Sequence, residues 1–214
     1  KGLNCRIVQT YVSTPLNWGI HVASASSFQK IEDLNHRTAA ISRLGSGSHL
    51  MSFLLAQNYR WNTNDLQFKI VNDIHGAEKA LTDKCADYFL WEKAMTQPLV
   101  DKGVFRRIGL FQNNWPAFVI VVRSAFLKQH TQAIESLLQT INNYTVDFNL
   151  IPSIDTSIAA FYELPLSDVQ DWLGNTQFSE AAVSPQLIDE VQTAYKNIGM
   201  LNTVIAFDKI LTNV

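Results

Sequence analysis

Between residues 5 and 143 the chain alternates short β-branched or aromatic runs with segments of helical period. This alternation limits the possible folds more than any other feature. Cys5 to Val12 reads as a strand, broken by Pro15, and Trp18 to Ala23 as a second extended piece. A short helical turn, Ile31 to Leu34, precedes a strand over Thr38 to Ser42. Helical spacing follows over His49 to Asn58, a strand over Leu66 to Val71 and a helix over His75 to Asp83. Ala86 to Leu90 is again a strand, Lys93 to Asp101 a helix that Pro98 can shorten, and Val104 to Leu110 a strand. Ala117 to Arg123 contains the longest apolar run and reads as a buried strand, followed by one long helix from Ser124 to Asn143. Strand, helix, strand in this order predicts an α/β fold with an open, mostly parallel sheet and helices on both faces.

After residue 143 the character changes. Ile154 to Tyr162, Ser167 to Leu173, Pro185 to Asn197 and Thr203 to Leu211 all read as helices, and no further strand is evident. The linkers Ser13 to Asn17 and Gln112 to Pro116 bracket the α/β core. They predict two lobes, residues 1–16 with 117–214 and residues 17–116, with the chain crossing at both places. No stretch is apolar and long enough to cross a bilayer as a helix.

Charge argues against nucleic acid as a partner. The formal net charge is −2 and Lys and Arg are scattered, with no basic stripe. Cys5 and Cys85 form neither a CxxC pair nor a zinc-like spacing. His21, His36, His75 and His130 are too dispersed for a metal cluster, and neither a GxSxG elbow nor an HExxH helix occurs. No cofactor, metal or catalytic residue is therefore assigned.

Ligands of open α/β sheets bind beyond the carboxyl ends of the strands. The strand ends here are Ser42 to His49, Asn72-Asp73, Trp91-Glu92 and Asn113 to Trp115. In the first, Gly45, Ser46, Gly47 and Ser48 stand between a strand and a helix. Glycine permits close backbone approach, and a helix start offers free N–H groups, so an anion cradle is one reading. A βα turn capped by Ser46 or Ser48 is the other. The run lacks both the P-loop Lys-Ser/Thr and the full GxGxxG pattern. His49 can donate to a ligand or be held in the first helical turn. Trp91 and Trp115 can wall a pocket or pack in the core, and Trp18 stands where a cleft-facing side chain is natural. Asn72 and Glu92 complete the candidate ligand-binding set, Glu92 with the alternative of an exposed carboxylate at a helix start.

Several of these passages, in this order, resemble one family. Ile31-Glu-Asp-Leu34, a short strand and Gly45-Ser-Gly-Ser-His49 resemble a passage of type 2 periplasmic binding proteins. Gly76-Ala-Glu-Lys-Ala-Leu81, Ala86-Asp-Tyr-Phe-Leu-Trp-Glu92, Val104 to Ile108 and Phe118 to Arg123 fit the same order. The nearest group is the nitrate, sulfonate and taurine binders with the thiamine-precursor (NMT1-like) proteins. The resemblance covers residues 6 to 145 and implies two lobes with a ligand between them, closed by a hinge. It also implies that Ser46, Gly47, Ser48 and His49, then Asn72, Trp91 and Glu92, face that ligand.

Members of that family carry a further α/β segment before the first crossing strand, so part of the first lobe is expected to be missing here. The cysteine-rich run of the related pyrimidine synthases has no counterpart. The expected function is capture of a small anionic or zwitterionic solute, delivered to an ABC permease, in an exported or periplasmic protein. The alternatives are a thiamine-pyrimidine or menaquinone-type biosynthetic enzyme with His49 or Glu92 as base, and a cytoplasmic ligand sensor.

Overall fold

The computed structural model describes residues 4–212. Its strands are β1 (Cys5–Val12), β2 (Asn17–Ala23), β3 (Thr38–Ile41), β4 (Gln67–Ile70), β5 (Tyr88–Glu92), β6 (Phe105–Gln112) and β7 (Phe118–Arg123). Its helices are α1 (Gly47–Asn58), α2 (Ile74–Thr82), α3 (Lys93–Asp101), α4 (Ser124–Gln129), α5 (Thr131–Val146), α6 (Ile154–Tyr162), α7 (Leu166–Asn175) and α8 (Pro185–Asn197). They fall into two compact units. The first takes residues 1–16, 113–197 and 201–214, and the second takes 17–112 and 198–200.

The second unit is built on a five-stranded sheet in the order β4-β3-β5-β2-β6. β3 is parallel to β4 and β5, while β2 is antiparallel to both β5 and β6. Four strands thus run one way and β2 alone opposes them. Both faces are covered, which is why β3 and β5 are near-continuous apolar runs. Ala40, Phe89 and Phe105 pack with Ala77, Ala80 and Leu81 of α2. By alternation Ile20, Ala39, Ile41, Tyr88 and Leu90 point to the other face, where α1 packs on β3 and β5, and all five are fully buried.

Local chemistry sets the helix boundaries. Asp73 caps α2 by accepting from the Gly76 N–H at 2.8 Å, and a side chain on Gly76 would overlap the Val71 carbonyl. Pro98 lies inside α3 without shortening it. The expected single helix from Ser124 is instead broken at His130. There the Thr131 hydroxyl donates to the Leu127 carbonyl, and the His130 ring lies 4.5 Å from that of Phe126.

The first unit is thinner. β1 and β7 form an antiparallel ribbon. One face carries a small cluster of Val8, Leu127, Ile134 and Leu138. β7 is not the buried strand its composition suggests, because Phe118 is 52% and Val121 51% exposed. Nor is 203–211 a helix. Only Phe207–Lys209 turns, as one 3-10 turn, because the Gln192 amide bonds both the N–H and the carbonyl of Ile205. The tail then bridges β1 at Ile7 and Leu211. Residues 177–181 also line the β1 edge, with Ser179 N–H donating to the Tyr11 carbonyl and Thr10 N–H to that of Ala181.

Replacing Gly76 by Ala puts a methyl group onto backbone that cannot move independently. We expect a loss of about 1–3 kcal/mol in stability, measured by urea unfolding.

Candidate functional site

The β3–α1 turn is drawn tight by its own polar side chains. Ser46 is the N-cap of α1, its Oγ accepting from the His49 N–H at 3.3 Å. The Ser48 hydroxyl faces inward: it accepts from the Ser42 N–H at 3.0 Å and shares a 3.1 Å hydrogen bond with Ser46. His49 Nδ1 accepts from the Gly45 N–H at 3.0 Å, which leaves the proton of the neutral ring on Nε2. The ring meets Phe68 and Phe53 edge-on at 4.5 and 5.2 Å, and burial lowers its pKa. Ser46, Ser48 and His49 therefore organise the backbone of the turn, and the exposed residue at the start of the helix is Gly47.

Trp18 completes this corner. A Cβ on Gly47 would lie 2.7 Å from Cη2 of the Trp18 indole, so the ring is laid against the glycine. Glu92 is paired with Trp18 across β2 and β5, and its carboxylate caps α3 by accepting from the Met95 N–H at 2.7 Å. Asn72 sits beside the turn, its N–H donating to the Ser42 carbonyl and its backbone left-handed at φ 68°. Trp91 stands apart. Consecutive strand residues point to opposite faces, so Trp91 leaves the Trp18 side and stacks on Phe89 at 5.1 Å, against the α2 core. Trp115 belongs to the first unit, between β6 and β7.

A buried polar cluster, not singled out by its sequence, lies on the Trp91 face. His21 is fully buried, with Nδ1 3.3 Å from the Phe89 carbonyl. Its Nε2 meets Thr96 Oγ1 at 2.9 Å and accepts from Arg107 Nε at 3.3 Å. Arg107 also donates to the Lys93 carbonyl at 3.0 Å. Burial first, and then the Arg107 charge, lower the His21 pKa to about 3. Gly19 makes the cluster possible, since a side chain there would occupy the space of the imidazole. That glycine inside a strand was the available signal. Among the described residues no cluster of His, Cys, Asp and Glu could hold a metal ion.

A family model described as Ca3427-like PBP matches residues 18–111. No curated protein matches the sequence. Among solved structures, the Candida albicans CA3427 gene product is described as defining a family with the generic periplasmic binding protein fold. It is 19% identical with a TM-score of 0.88, over 99% of this chain and 73% of that one. The alkanesulfonate-binding protein SsuA from Xanthomonas axonopodis pv. citri, bound to MOPS, is 15% identical with a TM-score of 0.82, over 100% and 75%. A periplasmic sulfonate-binding protein SsuA of a putative sulfonate ABC transporter, from Methylobacillus flagellatus KT, is 18% identical with a TM-score of 0.71, over 98% and 66%.

The low pKa of His21 has a consequence in acid. The unfolded chain binds a proton near pH 6.5 that the folded chain refuses down to about pH 3. His21 therefore destabilises the fold progressively as pH falls through that window, by about 1.4 kcal/mol per pH unit at most. Urea unfolding of the wild type and His21→Gln at pH 7 and pH 4.5 checks this. Gln has no proton to take up, so the variant should lose less stability between the two pH values.

Proposed function

We propose that this chain, which has the periplasmic-binding-protein fold, is a solute-binding protein for a small anionic or zwitterionic ligand. One observation carries the reading. Ser46, Ser48 and His49 all spend their side chains on holding the turn, so the start of α1 is fixed in advance with Gly47 exposed and Trp18 beside it. A helix start presents N–H groups without intrahelical acceptors and a partial positive charge, which suits an oxyanion. A donor set that needs no rearrangement binds without an ordering cost.

The same bonds weigh against acid–base chemistry at this corner. His49 Nδ1 and the Glu92 carboxylate, the two side chains suited to a base, each accept from a backbone N–H. MOPS, bound to one structural neighbour, is a sulfonate and zwitterionic, the ligand class favoured here. Delivery to an ABC permease from an exported position follows the neighbour described as periplasmic.

The test is calorimetric titration with MOPS, nitrate and an uncharged control, with Trp18 as a fluorescent reporter. An anion should bind at 1:1 and change the emission. Gly47→Ala pushes the indole aside without harming the helix, so affinity should fall about tenfold, or about 1.4 kcal/mol, with the unfolding midpoint little changed. Unchanged affinity in Gly47→Ala removes the turn from the site, and no binding of any anion rejects the reading.

A further inference from the structure

The second unit has a cavity at the end of its sheet away from the β3–α1 turn. It lies where β2 ends, just before β5 and β6 begin, and beside the last turns of α2. Its volume of about 690 Å³ is within the range of small-molecule sites. All of its lining comes from residues 23–104, so it belongs to the second unit alone. Leu81 and Ala86, both buried, and half-buried Phe28 supply apolar lining.

One wall is fixed in advance. Residues 24–28 form neither helix nor strand, yet they are tied down from several sides. Arg106 donates to the carbonyls of Ser26 at 2.8 Å and Phe28 at 2.6 Å, and the Arg37 guanidinium lies 5.0 Å from the centre of the Phe28 ring. The Ser24 N–H donates to the Val104 carbonyl at 3.1 Å, and the Ser26 hydroxyl accepts from the Phe28 N–H at 3.2 Å. A wall that is already formed spares a ligand the cost of ordering it.

Charge selects the ligand. Glu78 and Asp87 both line the cavity and are both half-buried. Glu78 shares one face of α2 with Leu81 and Thr82, which also line it. Among the described residues neither carboxylate stands in an ion pair, and Asp87 spends one oxygen on the Thr38 N–H at 2.8 Å. The carboxyl end of α2 adds partial negative charge. Lys84 is the basic residue of the lining and is exposed.

We propose that this cavity is a second ligand site, which takes a small organic amine. Its ammonium is drawn to the Glu78 and Asp87 carboxylates, and its apolar body lies against Leu81, Ala86 and Phe28. An anion would meet two carboxylates and a helix carboxyl end against one mobile ammonium. The site shares no residue with the β3–α1 turn and stands whether or not that turn binds an anion.

Amide NMR on the wild-type chain tests this with three probes of similar shape, phenethylamine, phenethyl alcohol and hydrocinnamate. The amine should give saturable shifts at the amides of Ser26, Ser27 and Lys84 in the millimolar range, as befits so small a molecule. The alcohol should bind more weakly and the carboxylate not at all. No saturable shift at these amides, or equal binding of all three probes, overturns the proposal. Two variants test the charge separately, with unfolding midpoints measured alongside. Glu78→Gln should weaken amine binding about fivefold, and Lys84→Gln, which removes a competing cation, should tighten it. The opposite signs would mean that the cavity takes an anion, and unchanged affinity in both variants would mean that the carboxylates are not used. Either result overturns the proposal.

Discussion

The register of β2 between β5 and β6 is the constraint on which the second unit depends. It is the only strand of the five that opposes the others, and it bonds to both neighbours along its length. Its odd and even residues serve different ends. Trp18 and Ile20 point to the α1 side, Gly19 and His21 to the opposite side. A slip of one residue would exchange these faces. The indole would leave Gly47, and the imidazole would lose Thr96 and Arg107. One alignment therefore fixes both the aromatic wall at the turn and the polar anchor beneath α3.

The two corners use polar groups differently. At the β3–α1 turn, short side chains bind backbone N–H groups close to them in sequence, so the turn is shaped locally. Under α3, His21 reaches residues 75 and 86 positions away and ties the helix start to the sheet. There a neutral imidazole serves as acceptor to a guanidinium and partner to a hydroxyl, and burial keeps it neutral. The first arrangement organises the exposed start of α1. The second holds a junction whose parts have no local reason to stay together.

Much of this was legible in the sequence, for physical reasons. Alternating period gave the element order, and the expected and observed strands β1 to β7 coincide to within a few residues. The Gly-Ser-Gly-Ser run announced a strand-to-helix turn, though not which hydroxyl caps it or which turns inward to Ser42. Trp91 and Glu92 are adjacent in a strand and so could not both face one site, a parity that two-residue alternation already contains. His21 was harder, since its partners come from distant elements and only Gly19 hinted at a crowded neighbour. The helix expected over 203–211 failed because Gln192 takes the backbone groups of Ile205, a tertiary contact that outweighs local propensity.

The ribbon of the first unit shows why composition alone misjudged burial. Val119 and Val121 have the residue type of a core strand, but burial depends on how many elements lie against a strand as well as on what it is made of. The ribbon also holds both passages of the chain between units. β1 runs toward the crossing at Leu16 and Asn17, β7 follows the return after Gln112, and the Ala117 N–H bonds the Thr14 carbonyl at 3.2 Å. Within the first unit both passages therefore start from one hydrogen-bonded pair of strands.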